Sequence, residues 1–317
     1  MRAVQITEFG GPEVVAVREV PEPRPGPGQV LLDVERCGVN FADTLLRENG
    51  YIVAAALPLV PGGEVVGRTT DGRRLAAMIE SGGYAEKAVV SEEFAFPVPD
   101  EVDAVTAVAL LAQGLTAWWL INHTGRVRPG ESVVVHAAAG GVGSLAVQLA
   151  KMSGAGRVIA TASTPEKREL ALSLGADAAV DPAVEDLTTA LREANGGGPV
   201  DVVLEMTGGR VTGQSIAALA PFGRLAFYGM ASMVEPEKVS PRELQRRSAT
   251  VSGFWLMDAF TRPEVLAKAY AELTARVIAG ELSVVRGGDY PMSEVRRVHE
   301  ALRGRRTSGK LVIDPRR

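Results

Sequence analysis

Cysteine occurs once in the 317 residues, at Cys37. An intrachain disulfide is therefore excluded, and a thiolate zinc cluster with it. Histidine is nearly as scarce. His123, His136 and His299 do not stand at metal-ligand spacing; only folding could assemble them, and ordinary core or surface histidines are the plainer reading. Aromatics make up 5 % of the chain and the net charge is −4. With no basic, aromatic-interleaved stretch, nucleic acid is not an expected partner. No uncharged apolar stretch is expected to reach the length of a membrane span, and "MRAVQITEFGG" carries no apolar signal core. Repeats and low-complexity tracts are missing too. A cytoplasmic protein without membrane or nucleic-acid partners is expected, with no metal.

What is present suits a globular chain. Hydrophobic residues make up 46 % and charged residues 23 %, and the length allows about two domains. The first part reads as β-rich: "VLLDVERCGV" and "YAEKAVV" are strand material, and "PEPRPGPGQV" is a proline-rich bend between strands. "DAVTAVALLAQGLTAWWLI" is a long apolar helical pattern. From Glu131 strands and helices alternate: "SVVVHA", "GVGSLAVQLAKM", "RVIATA", "TPEKRELALSLG", "AAVD", "VEDLTTALREAN", "VDVVLEM", "GRVTGQSIAALA", "GRLAFYG". That rhythm predicts a doubly wound parallel sheet, an α/β Rossmann-type arrangement. Thr164 and Pro165 open one of its helices and Gly175 ends it. Two amphipathic helices and the closing strand "GKLVIDP" follow. The tail is expected to rejoin the first domain, so that residues 1–117 and 265–317 enclose an inserted domain, 118–264.

"HAAAGGVGSLAVQLAK" carries the clearest chemistry. A strand that turns sharply into a helix leaves the first N–H groups of the helix unpaired and the positive end of its dipole exposed. A pyrophosphate answers both if the main chain can come close. Gly140 and Gly143 take the second and third positions of the dinucleotide fingerprint, and Ala138 stands for the first glycine; Gly141 and Val142 complete the turn. A tight turn of some other α/β protein is the alternative. The strand before, the helix after and a second strand about 20 residues on support the fingerprint. That second strand ends "VIATAST" with no carboxylate to hold adenosine ribose hydroxyls. Thr161, Ser163, Thr164, Lys167 and Arg168 instead offer hydroxyls and positive charge, which suits a 2′-phosphate and hence NADP(H) over NAD. A solvated helix face is the alternative for Lys167 and Arg168, and the better reading for Arg168.

Together with "CGVNFADTLLR" (37–47), "PGGEVVG" (61–67), "GGYAEKAVV", "LLAQGLTAWWLI" and "RTSGKLVI", these segments resemble, in order and nearly end to end, the zinc-free quinone oxidoreductase, ζ-crystallin-like branch of the medium-chain dehydrogenase/reductase superfamily. The resemblance implies a β-rich, GroES-like catalytic domain beside the Rossmann domain. Asn40 stands where zinc-dependent cousins carry a catalytic cysteine ligand and Gly63 where they carry a histidine, and the four-cysteine lobe is missing; the cousins' Lewis-acid route is not expected. By resemblance, Asn40 and Tyr51 face the substrate beside the nicotinamide, and Thr116 touches the cofactor. Ser163 and Lys167 hold the 2′-phosphate with Arg305 as neighbour. Gly229 and the run Phe254, Trp255 and Leu256 flank the nicotinamide half. Core packing remains open for Phe254 to Leu256, a loop aromatic for Tyr51 and an exposed basic tail for Arg305. The chain departs from the family at Leu45 and Pro182, where tyrosines are common, and in a short run from Gly67 to Gly82.

The activity implied is zinc-independent hydride transfer from NADPH to a quinone or another conjugated carbonyl, a small-molecule electrophile whose product anion is already delocalised. Positioning and hydrogen bonds to developing charge are then the protein's share. An enoyl-thioester reductase is the rival enzyme; Arg47, Arg73 and Arg74 could line its entry groove or be solvated surface. An NADPH-binding protein without turnover is the rival from another class. The resemblance also implies a homodimer through edge strands, for which "GRLAFYG" and "TVSGF" are candidates.

Overall fold

The computed structural model describes residues 1–317. It divides into two units, one made of Met1–Leu115 with Ala259–Arg317 and the other of Thr116–Asp258. These seams fall at 115/116 and 258/259 rather than 117/118 and 264/265. Phe260 packs edge to face on Phe94 at 4.7 Å, which ties the residues just after the second seam to the first unit. Nothing in the one-dimensional pattern announces that contact.

Fifteen strands follow in chain order. The first unit opens with β1 (Arg2–Ile6), β2 (Val15–Glu19), β3 (Gln29–Val39), β4 (Glu64–Thr69), β5 (Arg74–Met78), β6 (Lys87–Ser91) and β7 (Ala95–Pro97). The second contains β8 (Ser132–Val135), β9 (Arg157–Thr161), β10 (Ala178–Val180), β11 (Val200–Glu205), β12 (Leu219–Phe227) and β13 (Thr250–Gly253). The tail adds β14 (Arg286–Pro291) and β15 (Lys310–Asp314).

The second unit is a doubly wound parallel sheet. Its order is β10-β9-β8-β11-β12-β13, with all neighbours parallel. The chain winds outward from β8 through β9 to β10, then returns to β11 on the other side. The order therefore reverses between β8 and β11, where such sheets bind ligands at their carboxyl ends. Val134, Ile159, Val203 and Leu225 from the central strands pack with Leu187 and Leu191 of the helix Leu187–Ala194. Each such buried aliphatic contributes about 1.5–3 kcal/mol. The strands read as continuous apolar runs because helices cover both faces.

The first unit is a mixed sheet of order β14-β15-β3-β4-β5-β7, with β6 also paired to β3. Residues Leu311–Ile313 of the tail lie antiparallel to Cys37–Val39, so the tail completes the sheet begun at the start of the chain. Its core includes Leu32, Val34, Val65, Tyr84, Val298 and Ile313.

The apolar run 104–124 corrects one expectation. It is uncharged over 21 residues and long enough to cross a membrane by length and composition, but it is mostly buried within the protein. It is also not one regular helix. Leu111 has non-helical torsions, φ −70° and ψ −108°, and wide π-type turns stand on either side of the helix Thr116–Trp119.

Candidate active site

In the second unit the turn after β8 is built from bare backbone. The amide of Ala138 donates to Thr161 O at 2.9 Å and that of Gly140 to Ala137 O at 2.8 Å. Gly140 is the N-cap of the helix Gly141–Met152 and brings no side chain to cap it. A Cβ at Gly143 would collide with Ala137 O and lie 2.7 Å from Ala138 Cα. The helix therefore meets the turn at a distance only glycine permits. Ala137 carries the left-handed backbone, φ 49°. The residue that bends the chain is thus Ala137, one position before the Ala138 assigned to that role; Ala138 is buried and pinned to β9 instead. Val142 and Gly141 are half-buried in the first turn of the helix. This cradle, closed to a side chain at Gly143, fits a pyrophosphate.

His136 fixes the cradle from beneath. It is fully buried, with Nδ1 2.9 Å from Thr161 Oγ1 and Nε2 2.8 Å from Ser215 Oγ. Burial pushes its imidazole down to about 4, so it is a neutral linker. Thr161 is thereby withdrawn from the hydroxyls available to a ligand.

The end of β9 offers Ser163, which is exposed, and Lys167, which is half-buried. Thr164 Oγ1 accepts from the Lys167 amide at 3.3 Å, capping the helix Pro165–Ser173. Partial burial holds the Lys167 ammonium below the usual lysine range; an anion beside it would push the other way. Arg168 is neither a phosphate ligand nor a solvated face: it donates to Ala162 O at 2.9 Å and pairs with Asp181 at 3.2 Å.

Glu205 at the end of β11 was not singled out by sequence reasoning. Its carboxylate accepts from the amides of Thr207 at 2.5 Å and Gly208 at 3.2 Å and from the Thr212 hydroxyl at 2.7 Å. Burial raises its pKa. The only signal was an acid closing an otherwise apolar strand, "VDVVLE". Glu205 shapes the loop that brings Met206 against Gly229, where a Cβ would lie 3.2 Å from Met206 Cβ. Phe254 continues the sheet by donating to Phe227 O at 2.8 Å and stacks on Trp119 at 5.8 Å. Phe254, Trp255 and Leu256 are all half-exposed, so core packing does not describe them. Thr116 is buried at the start of its short helix.

In the first unit, Asn40 follows β3 and caps the helix Phe41–Arg47. Its Nδ2 donates to Glu64 Oε1 at 2.7 Å, and Lys310 Nζ donates to its Oδ1 at 3.3 Å. Lys310 and Glu64 themselves form a close ion pair, both side chains fully buried. Glu64 Oε2 accepts from the Ala112 amide at 2.8 Å, a donor freed by the break at Leu111. Behind Asn40 runs a second buried chain. The Asn40 amide and the Tyr84 hydroxyl each donate to Asp43 Oδ2 at 2.8 Å. Tyr84 OH is 3.4 Å from His299 Nε2, and Arg47 donates to His299 Nδ1 at 3.2 Å. Arginine can only donate, so Nδ1 accepts and Nε2 carries the proton toward Tyr84. Burial raises Asp43 to about 6 and, with the Arg47 charge, lowers His299 to about 3.

Tyr51 is half-buried in the irregular segment 48–63, beside the exposed Ile52 and Val53. Arg305 follows the helix Val295–Arg303 in the first unit, exposed and left-handed at φ 56°. Gly63 lies 3.4 Å, measured from an added Cβ, from Ile79 O. Of the three arginines weighed for an entry groove, two are committed inside the unit and Arg73 stays exposed in surface ion pairs. Arg47 is buried, Arg73 pairs with Asp71 and Glu92, and Arg74 pairs with Glu35 and donates to Val102 O.

Residues 26–74 match the model of the alcohol dehydrogenase GroES-like domain, and residues 141–275 that of the zinc-binding dehydrogenase. The chain is 31 % identical to human quinone oxidoreductase over 327 aligned residues, covering 99 % of this chain and 97 % of that protein. It belongs to the quinone oxidoreductase branch of the medium-chain dehydrogenase/reductase superfamily. Solved structures of the branch agree with the fold. The quinone oxidoreductase of Thermus thermophilus, solved also in complex with NADPH, is 37 % identical with a TM-score of 0.88 over 99 % of this chain and 100 % of that one. The Escherichia coli enzyme complexed with NADPH is 28 % identical with a TM-score of 0.92 over the same shares. The mixed-sheet unit is thus the GroES-like part of a quinone oxidoreductase scaffold, and the parallel-sheet unit its Rossmann part.

Proposed function

We propose that this member of the branch is a zinc-independent, NADPH-dependent quinone oxidoreductase. The observation that carries the reading is the turn 136–143, bare at the Gly140 N-cap and close-packed at Gly143, with a β9 end that offers Ser163 and Lys167 in place of a carboxylate. NADP(H) is the cofactor, and when bound it supplies a hydride to the acceptor. Quinone plus hydride gives the hydroquinone monoanion, and one proton completes the hydroquinone, with NADPH leaving as NADP+.

The chain's own groups bind and orient. Ala138, Gly140, Gly141, Val142 and Gly143 receive the pyrophosphate; Ser163 and Lys167 take the 2′-phosphate, and Arg305 is a further phosphate candidate by resemblance. Thr116, Gly229, Phe254, Trp255 and Leu256 border the nicotinamide half. Asn40 donates an amide hydrogen to the acceptor oxygen as it gains negative charge, and Tyr51 or water delivers the proton. A conjugated acceptor needs no Lewis acid, which is why Asn40 and Gly63 can stand where zinc ligands stand in the cousins.

The acceptor is a small molecule. An enoyl-thioester substrate is disfavoured because Arg47 and Arg74 are committed to partners within the unit, which leaves only the surface-paired Arg73 for a cationic groove. We place the protein in the cytoplasm as a homodimer. Of the two candidate edges only β13 is terminal in its sheet, since β12 is paired on both sides. Turnover of NADPH with 1,4-benzoquinone, and with crotonyl-thioester in parallel, tests the reading. Quinone reduction without thioester reduction is expected; tight NADPH binding with neither would leave a binding protein.

A further inference from the structure

Asn40, Glu64 and Lys310 form a closed trio with one opening. Ammonium can only donate and an ionised carboxylate can only accept. With Lys310 on one side and Glu64 on the other, the Asn40 amide has a single orientation that satisfies both: Oδ1 toward Lys310 and Nδ2 toward Glu64. Glu64 accepts from three donors, Asn40 and Lys310 at Oε1 and the Ala112 amide at Oε2. Glu64 and Lys310 are fully buried, whereas Asn40 is half-buried. The surviving polar capacity at the accessible end of the trio includes the second Nδ2–H.

The fold makes room for this arrangement specifically. Gly38 lies next to it on β3, and a Cβ there would collide with the Glu64 carboxylate and lie 2.7 Å from Lys310 Nζ. The ion pair occupies the volume that a side chain at position 38 would fill. Glu64 begins β4 and Lys310 begins β15, the two strands flanking β3, so the pair spans the strand that delivers Asn40.

We propose that Glu64 and Lys310 are positioning residues that lock the Asn40 amide with its donor presented, so that the site offers an N–H to an oxygen gaining negative charge and withholds the amide oxygen that could accept from a hydroxyl hydrogen. This rests on the functional reading above and extends it to specificity. Carbonyl and hydroxyl oxygens can both accept this N–H, so what the lock denies the reduced product is a second bond, from its own O–H to the Asn40 amide oxygen. Removal of both charges with shapes retained, Glu64→Gln with Lys310→Met, frees the amide to turn over. Replacing a buried ion pair in this way is commonly tolerated by the fold.

The test is a cycle with Asn40→Ala, using NADPH and 1,4-benzoquinone. In the parent background the double change is expected to lower kcat about tenfold and to strengthen inhibition by added hydroquinone at least about threefold. The Kd for NADPH should stay within about twofold, because the 136–143 turn is untouched. In the Asn40→Ala background the same change should alter kcat less than about twofold. Equal fractional losses in both backgrounds, or no loss in either, would overturn the lock. If the double variant gives no cooperative melt, Asn40→Asp is read instead: it puts a carboxylate oxygen where the donor stands and should lower kcat at least as far as Asn40→Ala, and a kcat above that of Asn40→Ala would overturn the presented donor. Parent protein that binds NADPH yet reduces no quinone would instead sink the functional reading itself.

Discussion

At the turn 136–143 the second unit removes side chains until the main chain can touch a ligand; around Asn40 the first unit does the reverse and holds one side chain in place with charged side chains from the two neighbouring strands. The glycine turn needs only local sequence: a strand, small residues and a helix within eight positions. The Asn40 trio needs residues 24 and 270 positions away from it. Backbone sites are therefore compact in sequence and robust to surroundings. Side-chain networks of this kind depend on the whole sheet being in register, and a shift of one residue in β4 or β15 would turn Glu64 or Lys310 to the other face.

The sharpest way to break the contrast is Gly143→Ala. A single methyl group meets backbone on both sides, so the Kd for NADPH should rise at least about a hundredfold, roughly 2.7 kcal/mol, while the melt remains cooperative. Calorimetric titration reads this directly, and an unchanged Kd would mean the turn holds no diphosphate. Lys167→Ala comes next. Loss of one charge-assisted hydrogen bond, about 1.5–3 kcal/mol, should weaken NADPH some ten- to hundredfold while NADH changes little. Equal weakening of both nucleotides would remove the 2′-phosphate role.

Acid should act with opposite signs on His136 and on Asp43. His136 is lowered to about 4 by burial, so the unfolded chain holds more protons below pH 6.5 and its stabilising contribution is lost as pH falls toward 4. Relative to His136→Asn, the parent should lose about 2 kcal/mol between pH 7 and pH 5. Asp43 is raised to about 6, so the folded state holds more protons between pH 6 and 3.8. Relative to Asp43→Asn, the parent should gain about 1 kcal/mol over the same interval. Denaturant melts at the two pH values decide both, and curves that move in the same direction would refute one of the assigned environments. The smallest effect belongs to Ala137→Gly. Relief of its left-handed backbone, set against the freer unfolded glycine, should raise stability by less than about 1 kcal/mol and leave NADPH binding intact. A loss of stability would show that the Ala137 methyl packs against something.

Much of this was readable before folding. Alternating apolar strands and amphipathic helices identified the parallel sheet, because their periods are local. The missing acid after β9 pointed to NADP(H) through a single position. Other features hid in plain text. Glu64 and Lys310 both lie in motifs that carry the family resemblance, yet each reads as an ordinary charge in a short strand until the sheet brings them together. The long run 104–124 looks like one apolar helix, and only the structure breaks it at Leu111 to release the Ala112 amide. Arg47 and Arg74 look like free surface charge in sequence and are committed in the fold.

The chain alone determined where the main chain is bare and how strands and helices alternate, because steric freedom at glycine and hydrophobic periodicity act over a few residues. Tertiary structure decided which charges are buried together, which arginines are spoken for and which way the Asn40 amide faces. Those outcomes depend on desolvation and hydrogen-bond valence, and both exist only once distant strands share one interior.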